Sequence, residues 1–148
     1  MATSNAATNY LERRLLNFLF KNNAAIGGVT FASPGDNIYV GLATAVSAAE
    51  TGSVTEADFT NYARQQVTAA NWTTIGADST DTQTAKNTSN IEFSASGTDG
   101  TSTITHVFIA DASTSGNILF VGALDANKAI AEGDIFRINT NNLSIELK

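Results

Sequence analysis

The sequence predicts an all-β fold, a mainly antiparallel β-sandwich, with one N-terminal amphipathic α-helix. The apolar residues follow helical spacing near the N-terminus and alternate with polar residues after about residue 30. The alternating stretches are short and are separated by turns rich in Gly, Asn, Asp and Ser, which is typical of antiparallel sheets. Charged residues make up only 15% of the chain. Thr, Ser and Asn therefore supply most of the polar surface, and these residues favour strands and turns over helices.

The length of the chain, 148 residues, predicts one domain. Residues 1–8 are small and polar and are expected to form a flexible N-terminal arm. Residues 9–148 are expected to form a single β-sandwich domain that includes the helix, because no repeat of fixed period divides them.

The helix is predicted over about residues 9–21. Asn9 followed by Glu12 is a variant of the capping box that marks a helix N-terminus. One face of this helix is apolar, at positions i, i+4, i+7 and i+8: Leu11, Leu15, Phe18 and Leu19. This face is expected to be buried against the sandwich or a neighbouring subunit. Leu11, Leu15 and Phe18 are therefore candidate interface residues.

The segment after the helix contains one clear strand and several less regular stretches. Apolar residues alternate through Ile38–Leu42, which predicts a strand. Residues 45–61 are ambiguous and could hold a short helical turn around Glu56–Phe59. Residues 62–68 are interpreted as a strand, and residues 76–90, which are polar throughout, as a long surface loop.

The second half of the chain is predicted to be strand after strand. Loops at 98–102 and 113–117 have the composition of hairpin turns. Five segments have the alternating or apolar character of strands: NIEFSAS, STITHVFIAD, NILFVGALD, DIFRINT and LSIELK.

Composition excludes several kinds of function. The chain has no cysteine and a single histidine, so that disulfides, thiol chemistry and a multi-histidine metal site are excluded. The net charge is −6 with only eight Lys and Arg, which argues against binding nucleic acid or an anionic membrane. No apolar stretch reaches the ~20 residues that a membrane-spanning helix needs.

Single residues give little sign of catalysis. His106 lies in the middle of a predicted strand, and no nucleophile or acid can be assigned to it from sequence spacing. A structural role is therefore favoured. Trp72 could line a sugar-binding platform, but a core or edge position is favoured. Arg64 is a candidate ion-pairing or interface residue. We expect no catalytic residues, no cofactor and no metal, and hence no enzyme.

Five segments together resemble a family of short tailed-phage virion proteins. The resemblance spans about residues 9–148, and its most specific parts are YARQ at 62–65 and the hairpin at 105–124. The segments are NYLERRLLNFLF, NIYVGLAT, NYARQQVTAANW, ITHVFIADASTSGNILFVGALDANKAIAEGDIFRI and LSIELK.

This resemblance implies a non-enzymatic virion structural protein, made in the host cytoplasm and located on the exterior of the phage particle. Members of the family are variously labelled tail-fibre, minor tail or head-decoration proteins. The favoured expectation is a capsid decoration or cement protein that binds the major capsid protein in many copies, as a homo-oligomer and most simply a trimer. The alternative is a tail, collar or tail-fibre component. A third reading is a host-surface carbohydrate-binding module that uses Trp72, Tyr62 and loop acids.

Overall fold

The structure, a computed structural model, describes residues 6–8, 25–26, 29–30, 38–73, 83–94, 96–97 and 102–147. These ranges contain no α-helix, and their single helical element is a 3-10 helix at Ala69–Asn71. The strands are β1 (Ala6–Ala7), β2 (Ala25–Ile26), β3 (Val29–Thr30), β4 (Tyr39–Ala48), β5 (Ser53–Glu56), β6 (Gln65–Gln66), β7 (Gln83–Lys86), β8 (Ile91–Glu92), β9 (Ser102–Ala110), β10 (Ile118–Ile130), β11 (Arg137–Ile138) and β12 (Ser144–Leu147).

The largest sheet has six strands in the order β1-β10-β9-β4-β5, and β6 also pairs with β4. Three two-stranded sheets accompany it: β11 with β8, β12 with β7, and β2 with β3. All of these pairings are antiparallel. The mainly antiparallel all-β class is therefore confirmed for the described residues.

The main hydrophobic core joins the large sheet to the β8–β11 pair. Val40 and Leu42 of β4 contribute to it from the sheet, and Phe93 and Phe136 contribute from the chain beside the pair. Burial of these side chains is the principal favourable term in folding. The buried members are Val40, Leu42, Ala57, Phe59, Val67, Ile91, Phe93, Ile104, Val107, Ile130, Phe136 and Ile138.

A second, smaller cluster lies where the large sheet bends on itself. The pairing of β4 with β5 has two register shifts, at Ala43/Ala45 and at Val46/Ala48, and such bulges bend a strand and increase its twist. The bend brings the turn between β4 and β5 close to β10. A Cβ at Gly52, in this turn, would lie only 3.2 Å from the Cβ of Ile118. The buried members of this cluster are Ala43, Ala49, Phe108, Ala110 and Val121.

Gly41 makes room for the ring of Phe108, a buried member of this second cluster. Gly41 pairs with Phe108 across β4 and β9. A Cβ at Gly41 would lie 2.2 Å from Cζ of Phe108, so that only a hydrogen atom fits beneath the ring.

Most of the predicted strands of the second half are confirmed. Residues 102–110, 118–125 and Ser144–Leu147 are strands, and the 113–117 hairpin loop connects β9 to β10. The strands expected in NIEFSAS and DIFRINT are confirmed only at Ile91–Glu92 and Arg137–Ile138. Periodicity predicted these elements because apolar and polar residues alternate along much of their length.

Of the expectations for residues 45–90, two were wrong and one was only partly right. Glu56–Phe59 is not a helical turn, because Glu56 ends β5 on the edge of β4. Residues 76–90 are not one loop, because Gln83–Lys86 is strand β7, whose backbone pairs with the C-terminal strand β12. The strand expected at 62–68 is limited to Gln65–Gln66. For β7 the distant partner strand β12 overrides the local preference, whereas β5 is fixed by its hairpin pairing with β4.

The predicted helix at about 9–21 lies outside the described residues, as do Leu11, Leu15 and Phe18. The N-terminal arm is described only at residues 6–8, where β1 pairs with β10. The division into an arm and one domain at 9–148 stays a prediction.

Candidate functional site

The edge of β4 is covered by two separate strands with a gap between them. β6 pairs with Tyr39 and Val40, whereas β5 pairs with β4 from Ala43 onwards. The connecting residues 57–64 leave the sheet edge near Leu42. The backbone groups of Leu42 still need partners, because an unpaired buried polar group is costly.

Tyr62 supplies one of those partners with its side chain. The N–H of Leu42 donates to Oη of Tyr62 at 3.0 Å, and the N–H of Ala57 donates to the Leu42 carbonyl at 2.8 Å. The Tyr62 ring stacks on Phe93 with centroids 6.0 Å apart. Burial raises the pKa of Tyr62, so that the hydroxyl keeps its proton and donates it to Oε1 of Glu56 at 2.8 Å.

Arg64 binds the same carboxylate from its other side. Nε donates to Oε1 of Glu56 and Nη2 donates to Oε2, both at 2.8 Å, which is the paired geometry that suits a guanidinium and a carboxylate. The Arg64 side chain is only 6% exposed, and the Glu56 side chain is 32% exposed. The guanidinium also lies 5.0 Å from the centroid of the Phe108 ring.

The remaining donor group of this guanidinium reaches the loop between β9 and β10. Nη1 of Arg64 donates to the carbonyls of Ala112, at 2.9 Å, and Ser115, at 2.7 Å. We call Glu56, Tyr62 and Arg64 the Arg64 clamp, and residues 111–117 the 111–117 loop. The clamp therefore ties the edge of β4 to this loop.

The 111–117 loop is also braced from within. Oδ1 of Asp111 accepts from the backbone N–H of Asn117 at 2.7 Å, and Oδ2 accepts from Nδ2 of Asn117 at 2.8 Å. Ser115 and Gly116 both have positive φ, 55° and 71°. A Cβ at Gly116 would lie 2.5 Å from Oδ1 of Asp111, so that this position requires glycine for space as well as for conformation.

At neutral pH the electrostatics of the clamp favour a pair in which the charges of Arg64 and Glu56 neutralise each other. Burial by itself raises the pKa of Glu56, but the hydrogen bonds from Arg64 and Tyr62 outweigh it and hold that pKa below its ordinary value. The hydrogen bond to Glu56 raises the pKa of Arg64. Arg64 and Glu56 bind each other, Glu56 also accepts from Tyr62, and Arg64 also donates to two backbone carbonyls, so that all three side chains have a structural role.

A second polar site lies at the end of β7 and is centred on Asn87, whose side chain is fully buried. Nδ2 of Asn87 donates to the carbonyls of Ser89, at 2.8 Å, and Asn139, at 2.9 Å. Oδ1 of Asn87 accepts from the N–H of Leu143 at 2.9 Å. We call this the Asn87 site; it fixes β7 to the segment that leads into β12.

The remaining candidate groups have structural surroundings. Nδ1 of His106 lies 2.7 Å from Oγ1 of Thr105, and burial lowers the pKa of His106. In the described part of the chain, no three His, Asp or Glu side chains are close enough to hold a metal ion. Within those same residues, no helix has both the length and the apolar character to cross a membrane.

The residues nominated from sequence fall in different places. Arg64 lies in the clamp. Trp72 packs against the main core, and its backbone forms an isolated antiparallel β-bridge with Asn87. A role for either in contacts with another chain stays a prediction. Sequence analysis did not single out Glu56, Asp111 or Asn117 as site residues, although one signal was present: in a chain with so few charges, a buried arginine calls for an acidic partner.

Comparison with known proteins finds a family that matches nearly the whole chain. A family described as podophage GP4 fiber I protein gp80 matches residues 6–146. No curated protein matches the sequence. The family match includes 62–65 and 105–124, the two segments that meet in the Arg64 clamp. Because the match extends over nearly the whole sequence, the chain belongs to this family of phage fibre proteins.

Proposed function

We propose that this chain is a non-enzymatic structural subunit of a phage tail fibre, exposed on the outside of the virion. The family match over residues 6–146 carries the proposal, because the family is described as a fibre protein. That description supports the tail-fibre alternative better than a capsid decoration protein, which was the favoured expectation from sequence.

The geometry of the polar groups supports a structural role. In the Arg64 clamp and the Asn87 site, the side chains hold backbone segments that are far apart in sequence. An enzyme needs groups whose protonation or bonding changes during a reaction. The carboxylate of Glu56 is instead fixed by Arg64 and Tyr62.

The carbohydrate-binding alternative receives little support from the aromatic residues that suggested it. The hydroxyl of Tyr62 is engaged by Leu42 and Glu56, and its ring stacks on Phe93 and packs against the main core. Trp72 packs against the same core. Each ring is therefore partly covered by the protein, which leaves less of its surface for stacking on a sugar.

The partners we propose are other virion components and further copies of this chain, with a trimer as the expected state. Closed symmetric oligomers are the norm for proteins that self-associate, and they cover exposed sheet edges. Native mass spectrometry of the purified chain tests this state directly, and a monomer at micromolar concentration would contradict it.

The location is tested with particles assembled without this chain and with antibody labelling of intact particles. We expect gold label on the tail appendages, and particles lacking the chain should bind host cells poorly while their heads retain DNA to the same temperature. Label spread over the head, with DNA released at a lower temperature and normal host binding, would favour the capsid decoration function.

A further inference from the structure

We propose that the tip of the 111–117 loop, residues 113–116, is a contact site for a neighbouring protein chain of the virion. This inference rests on the proposed function as a fibre subunit, and it names the surface by which the subunit attaches. All four tip residues are exposed: Ser113, Thr114, Ser115 and Gly116.

The first argument is that this loop is longer and more strongly held than a connection needs to be. Two antiparallel strands can be joined by a two-residue turn. Here seven residues join β9 to β10, and Arg64 is buried to bind two of their carbonyls. Removing an ion pair from water is costly, as is a positive φ at a residue other than glycine, such as Ser115.

The second argument is that these costs fix the shape of an exposed surface. The contact of Asp111 with Asn117 and that of Arg64 with Ala112 brace the base of the loop, and Arg64 also holds the tip through the Ser115 backbone carbonyl, which leaves the side chains of the tip exposed. A loop that is already ordered loses little conformational entropy when a partner binds, and this strengthens the association. Binding residues are commonly carried on loops that a rigid scaffold positions.

The chemistry of the tip indicates what kind of partner fits. Residues 113–116 carry hydroxyl groups and backbone amides and no charged side chain, and the charge of Arg64 is matched by Glu56. The tip also has no aromatic ring on which a sugar could stack. A neutral surface rich in hydrogen-bonding groups, such as the backbone and polar side chains of another protein chain, is the complementary partner.

The test uses phage particles assembled without this chain, to which the purified chain is added and the bound copies per particle are counted. Thr114→Arg and Ser113→Arg place a long charged side chain on the tip and should lower the bound copies at least about tenfold. Thr88→Arg is the matched control, since Thr88 is exposed elsewhere and should bind like the natural chain. All three variants should keep the natural melting temperature.

The outcomes separate this inference from the proposed function. Undiminished binding of the two tip variants would overturn the contact site and leave the fibre assignment standing. Normal incorporation of the tip variants with loss of host-cell binding would also overturn it, because the tip would then contact the host surface. If the natural chain itself does not bind these particles, both the proposed function and the contact site fail.

Discussion

The Arg64 clamp and the Asn87 site both hold distant backbone segments with one side chain, but they do so with different chemistry. Arg64 carries a charge that is balanced by Glu56, whose side chain is 32% exposed. Asn87 is neutral and fully buried. The first arrangement depends on a second titratable residue and on partial contact with water, whereas the second needs only its own amide group.

This difference predicts which part of the fold loses stability when the pH changes or a partner residue is removed. A charge pair responds to pH, and the removal of one partner leaves the other charge without compensation. A buried amide does not titrate, and its loss leaves only neutral groups unsatisfied. The stability of the region around the Arg64 clamp and the 111–117 loop should therefore depend more on pH than that of the Asn87 site.

The largest effect is expected for Arg64→Met, which keeps some packing over Phe108 and removes every hydrogen bond of the guanidinium. It leaves Glu56 without its cation and two loop carbonyls without a donor, and should lower the free energy of unfolding by about 3 kcal/mol. Urea denaturation measures the change. The double variant Arg64→Met with Glu56→Gln should be less destabilised than Arg64→Met alone; equal losses would show that the uncompensated carboxylate is not the cause.

A somewhat smaller loss, about 2 kcal/mol, is expected for Asn87→Ala, because each buried group left without a partner costs on the order of 1–3 kcal/mol. The change strands the N–H of Leu143 and the carbonyl of Asn139. Asn90→Ala is the matched control, since Asn90 also binds Thr140 but at an exposed position. Similar losses for the two variants, measured by urea denaturation, would contradict the importance of burial at Asn87.

Acid pH should destabilise the protein through Glu56 and leave the Asn87 site unaffected. The folded pKa of Glu56 lies below its ordinary value of 4.5. The unfolded chain therefore takes up the proton first, and the contribution of Glu56 to stability is present above pH 4.5 and is lost as the pH falls through the folded pKa. Thermal melting followed from pH 6 downward should show a shallower fall for Glu56→Gln, and an unchanged pH profile would refute this assignment.

His106 should also lower the stability of the protein as the pH falls, but in a higher pH range than Glu56. Burial holds the folded pKa of His106 below its ordinary value of 6.5, so that the unfolded chain binds the proton more readily. Stability should begin to fall below pH 6.5 for this reason. His106→Gln should remove that part of the slope, and its persistence in the variant would assign it to another group.

The smallest effect is expected at the exposed ion pair of β11 and β8. Nε of Arg137 lies 2.6 Å from Oε1 of Glu92, but the two side chains are 49% and 47% exposed. Such pairs contribute about 0–1 kcal/mol, so that Arg137→Gln should change the free energy of unfolding by less than about 0.5 kcal/mol. A loss as large as that of Arg64→Met would show that charge alone, and not burial, sets the difference between the two arginines.

The sequence predicted what depends on local periodicity. The alternation of Ile91 with Phe93 and the alternating Ser144–Leu147 predict strands; β8 and β12 lie there, although β8 ends at Glu92. The turn before Asn117 was recognised because Ser and Gly favour turns. Elements whose own residues alternate between core and solvent need no knowledge of their partner.

The candidate site was not predictable in the same way. Arg64 and Ala112 are 48 residues apart in sequence, and Asn87 and Leu143 are 56 apart. Nothing near Asn87 distinguishes it from the other polar residues of its segment, and its burial follows from a partner strand in the C-terminal segment. Glu56 lies next to possible helix-forming residues, and its pairing with Ala43 of β4 places it instead at the end of a strand.

The pairing of β4 with β9 has a consequence for the order in which the chain folds during synthesis. Tyr39 pairs with Ala110 and Ala43 with His106, so that β4 leaves the ribosome long before its central partner exists. The local β4–β5 hairpin can form at once, whereas the large sheet must await the second half of the chain. We expect slow folding with β4 exposed in the meantime, and hence a requirement for chaperones or low temperature when the protein is produced in quantity.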